Sequence, residues 1–492
     1  MKILSAQQIR EVDAQTIKVE PIKSIVLMER ASEAFAAWFV SHYTKNQTVL
    51  IVVGAGNNGG DALAVARILY NNSYQVKVFL ALPNSKGSPD YQLNLKLLPK
   101  AIKKVDSIEA DFDVIIDGLL GSGLTRPIDG SLAEMVAKIN TLDKDIIAID
   151  IASGLNYDGI AKSKNIITPT YTISFQLPKL AFLLGENTPF VGDWHLVDIG
   201  LDQRSIASQN SSFNYLIQTD IRKLIKPRGK FSHKGSFGHA LIVAGSYGKI
   251  GAVVLASKAC LRTGVGLVTS LIPACGYEIL QASVPEAMCL TSGERHLDQV
   301  KLEDISVFSA IGIGPGLGKD NGALSVLIDL LKSYQKPMVL DADAINLLAS
   351  DSELLELMPE KSILTPHIGE FNRLVGKSEN SLDRLEAQQA FSKKHKVIIV
   401  LKGAHTAITD VDGKVWFNST GNSGMASAGS GDVLTGIITS LLAQGYSSLE
   451  AAQIGVYIHG KAGDLAKEKL GEPSLIASDI VKRISDAFIS IN

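Results

Sequence analysis

A glycine-rich run near the end of the chain leads into an acidic residue. Residues 421–436 read GNSGMASAGSGDVLTG and continue into a helical apolar pattern. Gly429, Gly431 and Asp432 are therefore predicted at the N-terminus of a helix, where free backbone N–H groups can hold a transferring phosphoryl group. Asp432 is then placed to take a proton from a hydroxyl nucleophile. The alternative is an ordinary capping aspartate that follows a flexible loop.

Three further loops follow predicted strands and combine glycine with polar residues. They are residues 314–318 (GPGLG), 365–370 (TPHIGE) and 402–406 (KGAHT). At a strand end beside glycine, Lys402 is suited to phosphate contact, whereas lysine elsewhere is usually a surface charge. His367 by itself is more often a structural histidine. Asp341 and Asp343 could orient a metal ion or the substrate, or cap the next helix.

The first half of the chain has its own glycine turn, GAGNNGGD, at residues 54–61. Such a turn can cradle a phosphate, but it can also be purely steric, and it lacks the GxGxxG frame. Asp117 and Asp150 each end another predicted strand beside glycine. Each aspartate alone could be a helix cap or turn residue. Because ligands of doubly wound sheets bind outside the carboxyl ends of the strands, the three segments are predicted to converge on one crevice.

Elements that could position these residues alternate between short apolar strands and amphipathic helices, which predicts parallel α/β units. The alternation stops at a serine-rich stretch, residues 203–214, and a basic segment, residues 226–230, and then restarts. Two domains follow from this pattern, residues 1–215 and 225–492. The predicted strands are residues 48–53, 76–82, 114–117, 146–151, 171–176, 239–244, 267–272, 307–313, 337–341, 363–365 and 397–401. Predicted helices include residues 24–40, 62–70, 131–139 and 252–261, and Ser5 with Gln8 fits a capping box.

Composition excludes several function classes. The 492 residues carry a formal net charge of −2, so no basic excess indicates a nucleic-acid or anionic-membrane partner. No apolar run reaches the ~18 residues of a membrane span, and the polar N-terminus predicts no signal peptide. Cys260, Cys275 and Cys289 form no CxxC pair. We therefore expect a cytoplasmic protein in a reducing environment.

The segments GAGNNGGDA, DGLLGSG and DIASGL resemble the signature segments of the NAD(P)H-hydrate epimerase domain, over residues 1–215. The resemblance implies a Rossmann-like doubly wound sheet in which Asp150 contacts the substrate and serves as acid or base. It also implies a potassium ion held by Asn58, Asp117 and Ser153, whose hard oxygen atoms suit such an ion. The implied substrate-binding residues are Asn57, Asn58, Gly59, Gly60, Asp61, Gly121, Ser122, Gly123, Leu124, Thr125, Arg126, Pro127 and Asp150.

The second half resembles the NAD(P)H-hydrate dehydratase domain, a ribokinase-like α/β/α sandwich. The resemblance is carried by HKGSFG, GSYGKIGA, GPGLG, LDADA, TPHIGE, KGAHT and AGSGD. It implies that Ala252, Gly316, His367 and Asp432 contact the hydrated dinucleotide. The residues that it implies for ADP or ATP, bound with Mg²⁺, are Lys402, Gly403, Ala404, His405, Thr406 and Gly431.

Together the two resemblances imply a bifunctional repair enzyme for hydrated nicotinamide nucleotides. It would interconvert the R and S forms of NADHX and NADPHX and dehydrate the S form back to NAD(P)H. ADP or ATP would be consumed, giving AMP or ADP and phosphate. We also expect a homo-oligomer. Two other interpretations stay open: a small-molecule kinase fused to a regulatory nucleotide-binding domain, and a dinucleotide sensor whose first domain only binds.

Overall fold

A computed structural model of the protein describes residues 1–108, 111–123, 126–300 and 304–491. The chain divides into two compact units. The first contains Lys2–Phe213 and Asn380–Leu382. The second contains Met1, Asn214–Glu379 and the chain from Asp383 onward. Among the described residues, no helix combines the length and the apolar character needed to cross a membrane.

The first unit is built around a parallel sheet. Its elements are α1 (Ala6–Val19), α2 (Ser24–His42), β1 (Thr48–Val53), α3 (Asn57–Asn71), β2 (Gln75–Leu80), α4 (Pro89–Leu97), β3 (Lys103–Val105), β4 (Val114–Gly118), α5 (Gly130–Asn140), β5 (Asp145–Ile149), β6 (Tyr171–Phe175), β7 (Asp193–Val197) and α6 (Gln203–Ser208). Short 3₁₀ helices cover Leu180–Leu183 and Gly185–Phe190. The sheet order is β3-β2-β1-β4-β5-β6-β7. This is the doubly wound, Rossmann-like order predicted from the sequence.

The point at which this order reverses places the site. β1 pairs in parallel with β2 on one side and with β4 on the other. Successive connections leave β1 and β4 toward opposite faces, so a crevice opens at their carboxyl ends. The predicted strand Thr48–Val53 is confirmed, and all but its first residue are buried because helices cover both faces. The predicted capping box of α1 is also present, through Ser5 and Gln8.

The glycine turn after β1 is shorter than its sequence suggests. Helix α3 begins at Asn57, five residues before the predicted start at residue 62, and so takes in Gly59 and Gly60. A Cβ on Gly59 would lie 1.9 Å from the Gly54 carbonyl oxygen, so the helix packs against the strand end too closely for a side chain. The sequence also gave no indication of β3, β7 or α4.

The second unit is a larger α/β structure. Its elements are β8 (Phe213–Tyr215), α7 (Gln218–Leu224), β9 (His239–Val243), α8 (Ile250–Arg262), β10 (Leu267–Ile272), α9 (Tyr277–Ser283), β11 (Met288–Thr291), β12 (Ala310–Ile313), α10 (Asn321–Ser333), β13 (Val339–Leu340), α11 (Ala342–Ser350), α12 (Glu353–Glu356), β14 (Ile363–Leu364), α13 (Ile368–Val375), α14 (Ser381–His395), β15 (Ile398–Leu401), β16 (Ala407–Thr409), β17 (Val415–Phe417), α15 (Ser430–Ala443), α16 (Ser448–Leu470) and α17 (Ala477–Ile491). Its 3₁₀ helices are Lys234–Phe237, Ala274–Gly276, Ile305–Val307 and Ser423–Met425.

The sheet of this unit runs β11-β10-β9-β12-β13-β14-β15-β16-β17-β8. Strands β12 to β15 are parallel neighbours, as predicted, and β15 to β17 continue as antiparallel hairpins that the sequence did not reveal. One hydrophobic core contains side chains of α15, α16 and α17, and another contains side chains of α10 and α11. Helices therefore cover both faces, which gives the predicted α/β/α sandwich.

Helix α15 is held by an unusually close helix contact. It packs along α8, and a Cβ on Gly436 would lie 2.1 Å from the carbonyl oxygen of Ala256. Only glycine permits this approach of the two backbones. The contact fixes the position of α15, and with it the position of the Gly429–Asp432 turn at its N-terminus.

Candidate active sites

The first unit contains a cavity of about 470 Å³ at the reversal point of its sheet. The segments after β1, β4 and β5 all line it, as the sequence predicted. The predicted substrate-binding residues that line the cavity are Asn57, Asn58, Asp61, Gly121, Ser122, Gly123, Arg126 and Asp150. These strand ends therefore form one concave site of the size of a small-molecule pocket.

Some residues of the predicted set have other positions. Gly59 packs against the Gly54 carbonyl, and a Cβ on Gly60 would meet the sulfur of Met28 at 2.8 Å. Neither glycine, nor Pro127, is among the residues that line the cavity. The two glycines instead permit the close packing of α3. Leu124 and Thr125 lie outside the described residues.

Asp150 follows β5 directly and adopts a left-handed backbone conformation, with φ of 64°. Such a conformation costs free energy for a residue other than glycine, so surrounding contacts must hold it. Its Oδ1 accepts hydrogen bonds from the Phe175 backbone N–H at 3.0 Å and from Lys179 Nζ at 2.6 Å. Oδ2 has no hydrogen-bond partner among the described residues, so one oxygen of the carboxylate is left for the cavity.

The partner of Asp150 is a lysine that is almost fully enclosed. The Lys179 side chain is 1% exposed, and its Nζ also donates to the hydroxyl of Ser174. Burial lowers the pKa of Lys179, and the charge of Asp150 opposes that shift. A lysine so deeply buried is stable only with a charged partner, so the pair fixes the orientation of the Asp150 carboxylate.

Two more carboxyl groups face the same cavity. Burial, with the charge of Asp150, raises the pKa of Asp13 to about 7, although Lys179 acts in the opposite direction. Burial and the charges of Asp150 and Asp13 also hold the pKa of Asp61 well above its usual value. The site thus combines an ion-paired carboxylate with carboxyl groups that readily hold a proton near neutral pH.

Sequence inspection missed several of these groups. Arg10 and Asp13 of α1, together with Tyr157 and Lys179, line the cavity without belonging to any of the predicted segments. A signal existed only for Lys179, which is a lone charge in the apolar run LPKLAFLL. A charged residue in such a run needs a buried partner.

A group of oxygen atoms lies where β4 ends. Asp117 Oδ1 accepts a hydrogen bond from the Ser153 hydroxyl at 2.6 Å, and its Oδ2 accepts one from the Ser153 backbone N–H at 2.8 Å. The Leu120 carbonyl lies 3.0 Å from the Ser153 hydroxyl and 3.0 Å from Asn58 Nδ2. Asn58, Asp117 and Ser153, the predicted potassium ligands, therefore lie together. Carboxylate, hydroxyl and carbonyl oxygens form a donor set that fits a hard cation, whereas Asn58 directs its Nδ2 at the Leu120 carbonyl.

The second unit places four strand ends side by side, because β12 to β15 are adjacent and parallel. Lys402, just after β15, forms a salt bridge of 2.9 Å with Asp341, just after β13. Thr435 of α15 donates to the other oxygen of Asp341 at 2.8 Å. Asp341 is buried and its side chain makes no capping hydrogen bond. Asp341 therefore does not cap α11 but orients Lys402, and its predicted role in orienting a metal ion or the substrate stays a prediction.

Asp343, which shares that ambiguity, stabilises a glycine loop. Its Oδ2 accepts a hydrogen bond from the Gly318 backbone N–H at 2.9 Å and lies 3.4 Å from Lys249 Nζ. A Cβ on Gly316, in the same loop, would lie 3.2 Å from that of Ala252. The structure therefore brings together Ala252 and Gly316, two of the predicted dinucleotide contacts.

Asp432 occupies the first turn of α15, where the sequence placed it. Burial, together with the charge of Asp341, raises its pKa to about 6, although Lys402 acts in the opposite direction. Within the described chain, the salt bridges of Lys402 reach Asp341 and Glu370 but not Asp432. Asp432 is therefore a partly buried carboxylate that is free to act as a base near neutral pH.

The N-terminus of α15 offers an anion-binding turn. Gly429 has a left-handed conformation with φ of 89°, which turns the chain into the helix. In the part of the chain that is described, the backbone N–H groups of Gly431 and Asp432 have no hydrogen-bond partner. A Cβ on Gly431 would lie 3.4 Å from Lys402 Nζ. Two free N–H groups and a lysine thus face the same space.

A half-buried histidine that the sequence did not suggest lies beside this turn. His459 Nε2 lies 3.3 Å from the Ser430 hydroxyl. Burial lowers the pKa of His459 to about 4, so the ring is neutral at physiological pH. His459 therefore adds no charge of its own to the partial positive charge of the helix N-terminus.

The remaining predicted residues take local structural positions. His367 Nδ1 accepts hydrogen bonds from the backbone N–H groups of Gly369 and Glu370 and so caps α13. Its side chain is 54% exposed, beside the β15 strand end through a bridge with Lys402. Residues 403–406 form the turn of the β15–β16 hairpin, with Gly403 and Ala404 exposed. These predicted nucleotide contacts therefore border the same edge as Lys402.

Similarity to known proteins matches both units. The family model of NAD(P)H-hydrate dehydratase matches residues 240–486, and the model of the YjeF-related protein N-terminus matches residues 24–181. The "Bifunctional NAD(P)H-hydrate repair enzyme Nnr" of Moorella thermoacetica is 35% identical over 98% of this chain and 95% of its own. The chain belongs to the family of bifunctional NAD(P)H-hydrate repair enzymes. A member from Escherichia coli is 33% identical and aligns with 96% of this chain and 92% of its own.

Solved structures of other proteins resemble the second unit of this repair enzyme. An ADP/ATP-dependent NAD(P)H-hydrate dehydratase from Bacillus subtilis, co-crystallised with ATP and Mg²⁺, is 29% identical. It matches 57% of this chain and 99% of its own with a TM-score of 0.51. A ribokinase-like superfamily protein from Enterococcus faecalis is 28% identical, covers 57% of this chain and 98% of its own, and has a TM-score of 0.51. The second unit is therefore ribokinase-like.

The buried ion pair of the first unit can be tested by a double-mutant cycle. Lys179→Met should lower the free energy of unfolding by about 3 kcal/mol, because it leaves the Asp150 carboxylate unpaired in a confined site. Combining it with Asp150→Asn should recover a large part of that loss. Chemical unfolding of both single variants and the double variant measures the coupling.

A matched control is Lys77→Met, since Lys77 pairs with Asp111, whose side chain is 99% exposed. This variant should change stability little. Additive losses in the Lys179 and Asp150 variants would contradict the assignment of a stabilising pair.

Proposed function

We propose that the chain repairs hydrated nicotinamide dinucleotides in two steps, one in each unit. The first unit epimerises the hydrated ring of NADHX or NADPHX. The second unit dehydrates the S form with ADP or ATP and releases phosphate. The observation that carries the proposal is Asp432, a proton-accepting carboxylate beside an anion-binding helix N-terminus and the ion-paired Lys402.

The dehydration follows from the chemistry of the hydrated ring. The ring carries a hydroxyl on the carbon beside the nitrogen, and hydroxide is a poor leaving group. Asp432 takes the hydroxyl proton, and the oxygen attacks the terminal phosphoryl group of the nucleotide. The N–H groups of Gly431 and Asp432, with Lys402, stabilise the charge on that group. Phosphate then departs with help from the ring nitrogen, and loss of a proton from the neighbouring carbon restores the dihydropyridine.

Mg²⁺ is proposed to accompany the nucleotide, as in the co-crystallised B. subtilis protein. No cluster of three His, Cys, Asp or Glu side chains able to hold a metal ion occurs among the described residues. The nucleotide phosphates would therefore supply most of the ligands, and the ion would neutralise their charge. Lys402, Gly403, Ala404, His405, Thr406 and Gly431 are the proposed nucleotide contacts.

Asp432→Asn tests the dehydratase assignment. The amide cannot accept the proton, so the rate of dehydration should fall about 10²- to 10⁴-fold while ADP and ATP still bind. In the wild type, the rate should decline as the pH falls through about 6, because the Asp432 carboxylate becomes protonated there. Recovery of dihydropyridine absorbance from the S form, with and without Mg²⁺, measures both effects.

Asp320→Asn is the matched control, because Asp320 caps helix α10 through the backbone N–H of Ala323 and its other oxygen lies 3.3 Å from His296 Nδ1. Its rate should match the wild type. A near-wild-type rate for Asp432→Asn would show that Asp432 is an ordinary cap. A stable phosphorylated product, in place of released phosphate and restored dinucleotide, would favour the small-molecule kinase instead.

The epimerase assignment has a separate test. Asp150→Asn removes a proton-transfer group but keeps the shape of the side chain, so enzyme-catalysed interconversion of the R and S forms should be lost. Dehydration of the pure S form should continue at the wild-type rate. Chromatographic separation of the two forms over time measures the first activity. Loss of both activities together would contradict the division of labour between the units, and binding without turnover would favour a sensor.

Asn58, Asp117 and Ser153 are proposed to hold a potassium ion. The support is the convergence of Asp117, Ser153 and the Leu120 carbonyl into one group of oxygen atoms, with the Asn58 side chain beside it. The Ser153 hydroxyl has one proton but lies within hydrogen-bond distance of two acceptors, Asp117 Oδ1 and the Leu120 carbonyl. A cation beside these oxygens would offset their mutual repulsion and hold the β4 loop in place.

The effect of potassium on stability and on the epimerisation rate should therefore require the Ser153 hydroxyl. The wild type should show a higher unfolding temperature and faster epimerisation in KCl than in tetramethylammonium chloride of equal ionic strength. Ser153→Ala should remove most of this difference. Ser32→Ala is the control, since the buried Ser32 hydroxyl bonds only the backbone carbonyls of Met28 and Asp61 among the described residues. Equal responses of both variants to KCl would contradict the site.

We also propose a cytoplasmic location and a homo-oligomeric state. The three cysteines are free thiols, which agrees with the expected cytoplasmic, reducing location. Light scattering of the purified protein measures its molar mass in solution and so tests the proposed homo-oligomeric state.

A further inference from the structure

The cavity of the first unit contains a carboxyl group, that of Asp13, which lies outside the motif segments predicted from the sequence. Asp13 lies on α1, three residues after Arg10 and four after Ile9, and all three side chains line the cavity. This spacing puts them on one face of the helix. The Asp13 carboxyl has no hydrogen-bond partner and no salt bridge within the described part of the chain, yet it is largely shielded from solvent. A structural carboxylate in such a position would normally be paired.

The proposed epimerisation needs more than one proton-transfer group. The hydrated carbon bears a hydroxyl and is bonded to the ring nitrogen. If a carboxylate takes the hydroxyl proton, the O–H electron pair forms a carbonyl, and the carbon–nitrogen bond breaks with its electron pair moving to nitrogen. The nitrogen must then receive a proton. Rotation exposes the other face of the carbonyl, and the reverse steps close the ring, so no oxidant or reductant is required.

We propose that Asp13 is the second proton-transfer residue of the epimerase site, and that it exchanges a proton with the ring nitrogen while Asp150 serves the hydroxyl. The inference rests on the proposed epimerase function. The two groups come from different elements, Asp13 from α1 and Asp150 from the end of β5, and both line the same cavity. Asp150 is ion-paired with Lys179, which suits it to be the base. Asp13, without such a partner, is suited to hold the proton.

Charges around Asp13 agree with this division. Besides Asp13, the negative groups that line the cavity are Asp61 and Asp150, and the positive ones are Arg10, Arg126 and Lys179; the buried Tyr157 also lines it. Burial and Asp150 raise the pKa of Asp13 to about 7. At neutral pH the group is therefore able both to give and to take a proton, as reversible ring opening requires.

The test compares Asp13→Asn with Glu11→Gln in the full-length protein. Glu11 lies on the same helix, is exposed and does not line the cavity. Asp13→Asn should slow interconversion of the R and S forms about 10²-fold or more, mainly through kcat. The wild-type rate should decline as the pH rises through about 7, and this limb should be absent in Asp13→Asn. Glu11→Gln should match the wild type in rate and pH profile.

Dehydration of the pure S form and the unfolding temperature report whether Asp13→Asn remains folded, and both should be unimpaired. If Asp150→Asn abolishes epimerisation but Asp13→Asn keeps more than half of the rate with an unchanged pH profile, the role of Asp13 is wrong and the epimerase function stands. A rise in KM alone would mean that Asp13 only binds substrate. If the wild type does not accelerate interconversion at all, the proposed function itself fails.

Discussion

Both candidate sites depend on a single constraint of parallel β-sheets: adjacent strands that run in the same direction end at the same edge. In the first unit this brings Asn58, Gly121 and Asp150 into one crevice, although they are far apart in the sequence. In the second unit it brings Asp341 and Lys402 to within 2.9 Å. The helices add charge at that edge, through a free N-terminus or through a carboxyl group.

The two units use lysine–aspartate ion pairs in a similar way. Lys179 and Lys402 each bind an aspartate that directly follows a strand, and in each case another carboxyl group nearby has a raised pKa. The lysine fixes one aspartate, while burial and the charge of that aspartate favour protonation of the other. This arrangement separates an oriented, ionised group from one that exchanges protons, which is what acid–base and phosphoryl-transfer chemistry both need.

The sequence predicted most of the central strands and the motif segments because buried parallel strands read as apolar runs that end in glycine and polar residues. The doubly wound arrangement came from the family resemblance. The sequence did not predict Asp13, because α1 is amphipathic in the ordinary way and Asp150 and Lys179, which share the cavity with Asp13, are more than a hundred residues distant. It also placed the start of α3 too late, since glycine usually marks a loop and here permits helix packing instead. Strands β16 and β17, of three residues each, carry too little pattern to be recognised.

The contact between Gly436 and Ala256 has a consequence for how this enzyme could diversify. Helix α15 cannot slide or tilt along α8 without a backbone collision. The Gly429–Asp432 turn at its N-terminus is therefore fixed in position relative to the sheet. Changes in which dinucleotide or nucleotide is accepted must therefore arise in the surrounding loops, such as the exposed hairpin at residues 403–404. Residues of those loops can change during evolution while the geometry around Asp432 is kept.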